Sequence, residues 1–211
     1  MFKAIFGIIK LCFLMLVIAL IFHNWTARHA FSAYLRYSLG TPVTIQEARI
    51  DFINSRILFR DIVMENPGDF PAGVLAKIPY LFMDIDLGAL LDGKMRFKSI
   101  EADISEMHLM RHKDGRINWL SLKGMKNPEG SGMNLQDEAG NLKPVPVREF
   151  IFTLRRATYR DFGKAVVAAQ NFNLYIDKIR FADLRKVKEI AFIVSREALS
   201  RIGLGEEVRA A

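Results

Sequence analysis

The chain has 211 residues, 51% of them hydrophobic and 25% charged, with a formal net charge of +7. Its single cysteine, Cys12, excludes an intramolecular disulfide and a thiolate metal site, so the fold must stand on packing. The basic balance comes without any Arg/Lys block interleaved with aromatics, which argues against a nucleic-acid stacking surface.

The first element is an apolar run from Ile5 to Phe22, interrupted only by Lys10. As a helix it reaches roughly 27 Å, close to the ~30 Å hydrocarbon core of a bilayer. A cleaved signal would need small residues at a processing site, and Ile21-Phe22-His23-Asn24-Trp25 offers none. A lipoprotein signal would want a small residue before Cys12, where Leu11 stands. A buried core helix would strand a lysine among apolar residues. The run therefore reads as an uncleaved membrane anchor, with Lys10 snorkelling to the headgroups. Lys3 and Lys10 on one side nearly balance Arg28 and Arg36 on the other, so charge leaves the orientation open. The short leading tail favours a cytoplasmic N-terminus.

From His23 to Leu39, Trp25, Phe31, Tyr34 and Tyr37 suit an interfacial helix, ended by Gly40-Thr41-Pro42. The period then changes to two. Val43 to Phe52 reads as a strand whose apolar phase shifts near Glu47, as a bulge would require. Arg56 to Met64 follows, and then Leu81, Met83, Ile85 and Leu87 alternate with Phe82, Asp84 and Asp86. Met95 to Ile104 and Glu106 to Arg111 read as successive strands. Asp92-Gly93 and Asp114-Gly115 supply tight turns, and 66–71 a Pro/Gly loop. The polar, Gly- and Asn-rich stretch 123–146 reads as a flexible excursion. Strand pattern returns at Arg148 to Arg156, Tyr159 to Phe162 and Val166 to Ile179. Finally Leu184, Val187, Ala191, Val194 and Ala198 form a helical stripe with Ile190 and Ile202 beside it, and Gly203 can cap the end.

The pattern predicts an α+β fold, mainly antiparallel β: an N-terminal transmembrane helix, a curved meander sheet of about ten hairpin-connected strands, and a C-terminal amphipathic helix packed on the sheet. Its divisions are an anchor at 1–22, an interfacial helix at 23–40, a β-meander at 41–122, a loop at 123–146, strands plus helix at 147–205 and a tail at 206–211.

Candidate chemistry is sparse. Asp84 and Asp86 are paired carboxylates about 7 Å apart on one strand face, usable for acid/base work or a metal but equally ordinary as a solvated face. His108 and His112 have helical metal-ligand spacing in an extended stretch, which separates them by roughly 13 Å. Nucleophile arrangements, phosphate loops and dinucleotide motifs are missing from the sequence. The expectation is a protein that is no enzyme and takes no cofactor or metal.

Several short pieces in one order resemble the N-terminal region of AsmA-like proteins. They are Gly40-Thr41-Pro42-Val43, the run from Ile62 through Asn66-Pro67 to Phe70, Leu81 to Leu87, Leu90-Leu91-Asp92-Gly93-Lys94, and Asp114-Gly115-Arg116-Ile117-Asn118-Trp119. The resemblance implies a bacterial inner-membrane protein, single-pass, with its β-rich domain in the periplasm. It also implies a role in envelope lipid handling or outer-membrane biogenesis, with membrane lipids and envelope proteins as partners. No catalytic residues carry over, and Asn66, Pro67, Asn118 and Trp119 fall at turn and strand-end positions. Leu81, Met83, Ile85 and Leu87 are the candidate lipid-facing residues. A sheet of about ten strands at roughly 4.8 Å each is near 50 Å wide, too short to cross a periplasm alone. The competing reading is a tethered scaffold that binds envelope proteins. Oligomeric state is left open.

Overall fold

A computed structural model describes residues 24–123, 145–184 and 188–203. The expected anchor at 1–22, most of the loop at 123–146 and the tail at 206–211 lie outside the described residues. Among the described residues, no helix is long and apolar enough to cross a membrane.

Helix α1 covers residues 24–39. Then come β1 (Val43–Asp51), β2 (Arg56–Glu65), β3 (Val74–Ile85), α2 (Leu87–Leu91), β4 (Phe97–Arg111), β5 (Val147–Asp161), β6 (Ala169–Leu184) and α3 (Lys188–Arg201). The six strands make one open sheet in sequence order, with β1 and β6 at its edges. The fold is thus α+β and mostly antiparallel, as the pattern predicts, with two corrections. The sheet has six long strands among the described residues, because Met95 to Ile104 and Glu106 to Arg111 belong to the single strand β4, and Arg148 to Arg156 and Tyr159 to Phe162 to β5. It is also not a pure meander, because β4 and β5 run parallel. A parallel neighbour needs a crossover of a dozen or more residues, and the chain from His112 to Pro146 supplies that length.

Why single strands look double has one cause. The buried positions step by three, not two, once in each of four strands: Ile45 to Ala48, Phe59 to Ile62, Ile104 to Met107, and Leu154 to Ala157. The rungs missing from the pairing are Gln46, Asp61, Pro79, Ser105 and Arg155, all at one level across the sheet. Asp61 takes a left-handed φ of 52° there, and Tyr175 of β6 takes 50°. Pro79, which has no N–H to give a ladder, sits where the ladder is already open. The phase shift near Glu47 is therefore real, but it is shared by β1 and β2, so their register stays in step instead of gaining a one-strand bulge. Because β1 to β5 shift together, the apolar face stays continuous across them, whereas the β5–β6 register shifts on either side of Leu154.

That face is covered by three pieces. Ala27, Phe31, Leu35 and Leu39 of α1, four residues apart, pack against the core, with Phe31 stacked on Phe59 at 4.2 Å and 5°. Ile117, Trp119 and Leu122 are buried between the turn after β4 and residue 123. Ile193, Val194, Ala198 and Leu199 of α3 are buried over β5 and β6, which places the C-terminal helix on the sheet as expected. Leu184, assigned by pattern to the helical stripe, ends β6 instead; Val187 and the side chain of Ala191 lie outside the described residues.

A second stripe on α1 closes the edge of the sheet. Asn24 Oδ1 accepts from the Ile50 N–H (3.0 Å), Arg28 Nη1 donates to the Gln46 carbonyl (2.8 Å), and Ser32 Oγ donates to the Val43 carbonyl. These three residues lie four apart, so they occupy one helix face beside the apolar one. The helix thus occupies three backbone groups along β1 that another chain's strand would otherwise use to pair. Gly40 ends α1 at φ 70°, and a Cβ there would stand 3.0 Å from that of Lys123.

At the end of the sheet where α1 stops, two side chains 52 residues apart in sequence meet in the interior. Asn118, fully buried, donates from Nδ2 to Asn66 Oδ1 and to the His108 carbonyl, both at 2.8 Å. Its Oδ1 accepts from the backbone N–H of Met110 (3.0 Å) and of Trp119 (2.9 Å). Asn66 in turn donates to the Pro71 carbonyl at 2.9 Å. The two asparagines thus tie the β2–β3 loop to the turn after β4.

Two stability predictions follow from these contacts. Phe31→Ala should lower unfolding free energy by about 2 kcal/mol, since a half-buried stacked ring is removed from a closed face. Asn118→Ala should cost about 3 kcal/mol, because Asn66 Oδ1, the His108 carbonyl and the Met110 and Trp119 N–H groups each lose the hydrogen bond that Asn118 gives them. Urea unfolding of the detergent-solubilised chain checks both; wild-type midpoints in either variant would contradict the assignments.

Candidate functional site

The four candidate lipid-facing residues do not form one open strip. Met83 is in the core at 9% exposure, while Leu81 and Ile85 are partly buried against it. The β3–β4 register shifts between Asp84 and Ile85, and the chain then leaves the sheet, so Leu87 opens α2 and stands 43% exposed. The strict alternation stops at the register shift, which the sequence pattern ran through.

Asp84 and Asp86 have separate structural work. Asp84 lies between Arg56 (3.5 Å) and Lys98 (3.6 Å), an ion pair on each neighbouring strand. Asp86 caps α2, its Oδ1 accepting from the Ala89 N–H at 3.2 Å, and Arg96 is 3.9 Å away. His108 and His112 are likewise kept apart by function. His112 Nδ1 sits 3.0 Å from Asp114, in the turn closed by the Gly115 φ of 88°. Hydrogen bonds from Arg116 and His112 hold the Asp114 carboxyl down to about 2. His108 points instead to Glu106, with Nε2 3.7 Å from its carboxylate. No group of three or more metal-binding side chains occurs among the described residues.

The outer face of the sheet, opposite the helices, carries a polar hollow of about 240 Å³ that the sequence reading missed. Glu106, Arg156 and Asn173 form one rung of it; His108, Thr158 and Asn171 form the next. Two adjacent rungs of three strands thus make a grid of six polar side chains. Glu106 is the electrostatic centre: Lys77 Nζ is 2.9 Å away and Arg156 Nη1 3.6 Å. The Lys77 hydrogen bond holds its carboxyl below the usual range. Burial lowers the His108 imidazole from its ordinary 6.5, against the raising effect of Glu106, so the ring is neutral at neutral pH. Thr158 donates to Asn171 Oδ1 at 2.9 Å.

Chemically this is a set of oriented donors and acceptors, with one carboxylate, one guanidinium, one imidazole, one hydroxyl and two amides, on the outer face. Each strand contributes a polar pair at i and i+2, Glu106/His108, Arg156/Thr158 and Asn171/Asn173. That repeated pairing is the signal from which the hollow was readable, but only once the three strands are known to be neighbours.

No family model, curated protein or solved structure matches the chain in comparison with known proteins.

His108 should titrate below 6.5 in an NMR pH series on the solubilised chain, and Glu106→Gln should lower it further by removing the carboxylate that favours the imidazolium. Since the folded form resists protonation, its stability should be full above the unfolded value near 6.5 and decline as pH falls through the folded one. A rise in the Glu106→Gln variant would refute the electrostatic assignment.

Proposed function

We propose that the chain is a non-enzymatic, AsmA-like protein, held in the bacterial inner membrane by residues 5–22 with its sheet in the periplasm. In this reading it acts in envelope lipid handling or outer-membrane biogenesis. The observation that supports it best is the seat of α1. Only His23 lies between the apolar run and Asn24, from which the described part of α1 is fastened along the edge and inner face of the sheet. An anchor joined so closely would set the sheet directly on a bilayer surface, with no linker to let it stand off.

The closed inner face bears on how such a protein would work. With α1, the 117–122 segment and α3 all packed on it, a single copy offers no ready acyl channel along Leu81 and Met83. The chain then fits better as one membrane-proximal section of an assembly than as a solitary conduit.

A tethered scaffold is the second reading, and β6 favours it. This edge strand is mostly exposed over its sixteen residues, with Tyr175 at 83%. The left-handed Tyr175 and Lys178 interrupt its rim, so a partner would be recognised through side chains more than by strand addition.

Photo-crosslinking residues placed at Ile193, buried in α3, and at Tyr175 in living cells separate the readings. Lipid adducts at position 193 support lipid handling; protein adducts at 175 with none to lipid at 193 support the scaffold. Silence at both positions would sink both. An alkaline phosphatase fused after Ala211 should be active if the sheet is periplasmic, and an inactive fusion of normal abundance would reverse the topology.

A further inference from the structure

One end of the sheet carries large apolar side chains that the core does not use. The β1–β2 turn presents Phe52 at 62% exposure and Ile53 at 91%. Helix α2 presents Leu87 at 43%, Leu90 at 45% and Leu91 at 81%, and buries none of its residues. Trp25, beside Asn24 on α1, is 57% exposed. Hydrogen bonds bring these three pieces to one end. The Ile85 N–H donates to the Ser55 carbonyl (2.9 Å), the Asp86 N–H to the Arg96 carbonyl (2.9 Å), and the Ile50 N–H to Asn24 Oδ1 (3.0 Å).

Turn geometry does not ask for these residues. The β1–β2 turn is built by Asp51, whose carboxylate accepts from the Asn54 N–H and side chain, and by Ser55 at φ 56°. These turn contacts do not call for apolar side chains at 52 and 53, and polar residues would serve a solvated tip better. Single exposed apolar residues are normal on protein surfaces, but six gathered on three neighbouring tips are not.

What covers them is indicated by the chain itself. Asn24, the first described residue of α1, lies at this same end, so the Ile5–Phe22 run joins the domain here. We propose that this end of the sheet docks into the lipid bilayer, with the Phe52-Ile53 tip and the Leu87, Leu90 and Leu91 face of α2 sunk to the headgroup–acyl boundary and Trp25 at headgroup depth. The proposal rests on reading residues 5–22 as a membrane anchor, and it adds three further points of contact that fix the tilt of the sheet. Lys94, Arg96 and Lys98 are exposed beside α2 and can snorkel to headgroups. Arg96 and Lys98 already face Asp86 and Asp84, so the apolar tips, not net charge, carry the docking.

The test uses the full chain with Cys12→Ser and one new cysteine at a time: Ile53→Cys, Leu91→Cys or Val166→Cys. Val166 is also exposed, at 77%, but lies in the turn beyond Asp161, which the Phe162 N–H ties to the Arg111 carbonyl at the opposite end. Each is labelled with an environment-sensitive fluorophore and reconstituted into phosphatidylcholine–phosphatidylglycerol vesicles with or without spin-labelled acyl chains. Quenching should be at least about threefold greater at positions 53 and 91 than at 166, and should persist in high salt. Equal, weak quenching at all three in protein that floats with the vesicles overturns the docking and leaves the anchor standing. Protein that does not float overturns the anchor reading and the docking with it.

Discussion

Helix α1 touches the sheet through two neighbouring stripes, and both are needed to make the sheet a finished object. One stripe, at Asn24, Arg28 and Ser32, spends polar side chains on the exposed backbone of β1. The other, at Ala27, Phe31, Leu35 and Leu39, buries apolar side chains on the inner face. A helix that only packed on the face would leave the edge of β1 as a template for aggregation, and one that only capped the edge would leave the core open to water. Doing both fixes the helix axis along β1, and with it the point at which the preceding residues join. In the membrane-anchored reading, the position of the sheet relative to a bilayer would then follow from how α1 packs on it.

The second organising feature is the transverse line through Gln46, Asp61, Pro79, Ser105 and Arg155. A phase shift in one strand of a two-faced sheet would flip half of its side chains to the wrong side. Here the shift crosses β1 to β5, so Ala48, Phe59, Leu81 and Ala102 remain on the same face as Ile45, Ile62 and Met107. At β6 the chain changes register against β5 instead, on either side of Leu154. The line also explains a proline in an interior strand, which would otherwise break the β2–β3 ladder.

The same line marks where the sequence was readable and where it was not. Alternation identifies the strands themselves, from Val43 onward, because burial on one face leaves a period of two. At Glu47 the break in phase was legible as an irregularity. At Ser105 and again between Arg156 and Tyr159 the same break was indistinguishable from a strand end, since a single strand carries no record of its partner. The parallel pairing of β4 with β5 was hidden for a related reason: pleat and period are the same in both directions, and only the length of the 123–146 excursion hinted at a crossover. Asn66 and Asn118 could be placed at turns from their neighbours, but not against each other across 52 residues. The polar hollow around Glu106 needed three strands in order before its six side chains could be seen as one surface.

How the inner face could serve lipid depends on which cover is easier to lift. Helix α1 is held by hydrogen bonds to the edge strand, by the Phe31–Phe59 stack and by its junction with the apolar run. Releasing it would expose the β1 backbone and the core together. Helix α3 meets β5 and β6 through Ile193, Val194, Ala198 and Leu199, an aliphatic stripe that an acyl chain can replace with like chemistry. Each methylene buried in exchange returns about 0.8 kcal/mol, so a chain of ordinary length matches what four small aliphatic side chains give up. In the lipid-handling reading, then, the exchange of cover belongs at the β5–β6 side, farthest across the sheet from the edge that α1 holds. That leaves α1 as the fixed post and α3 as the part whose place a lipid would take.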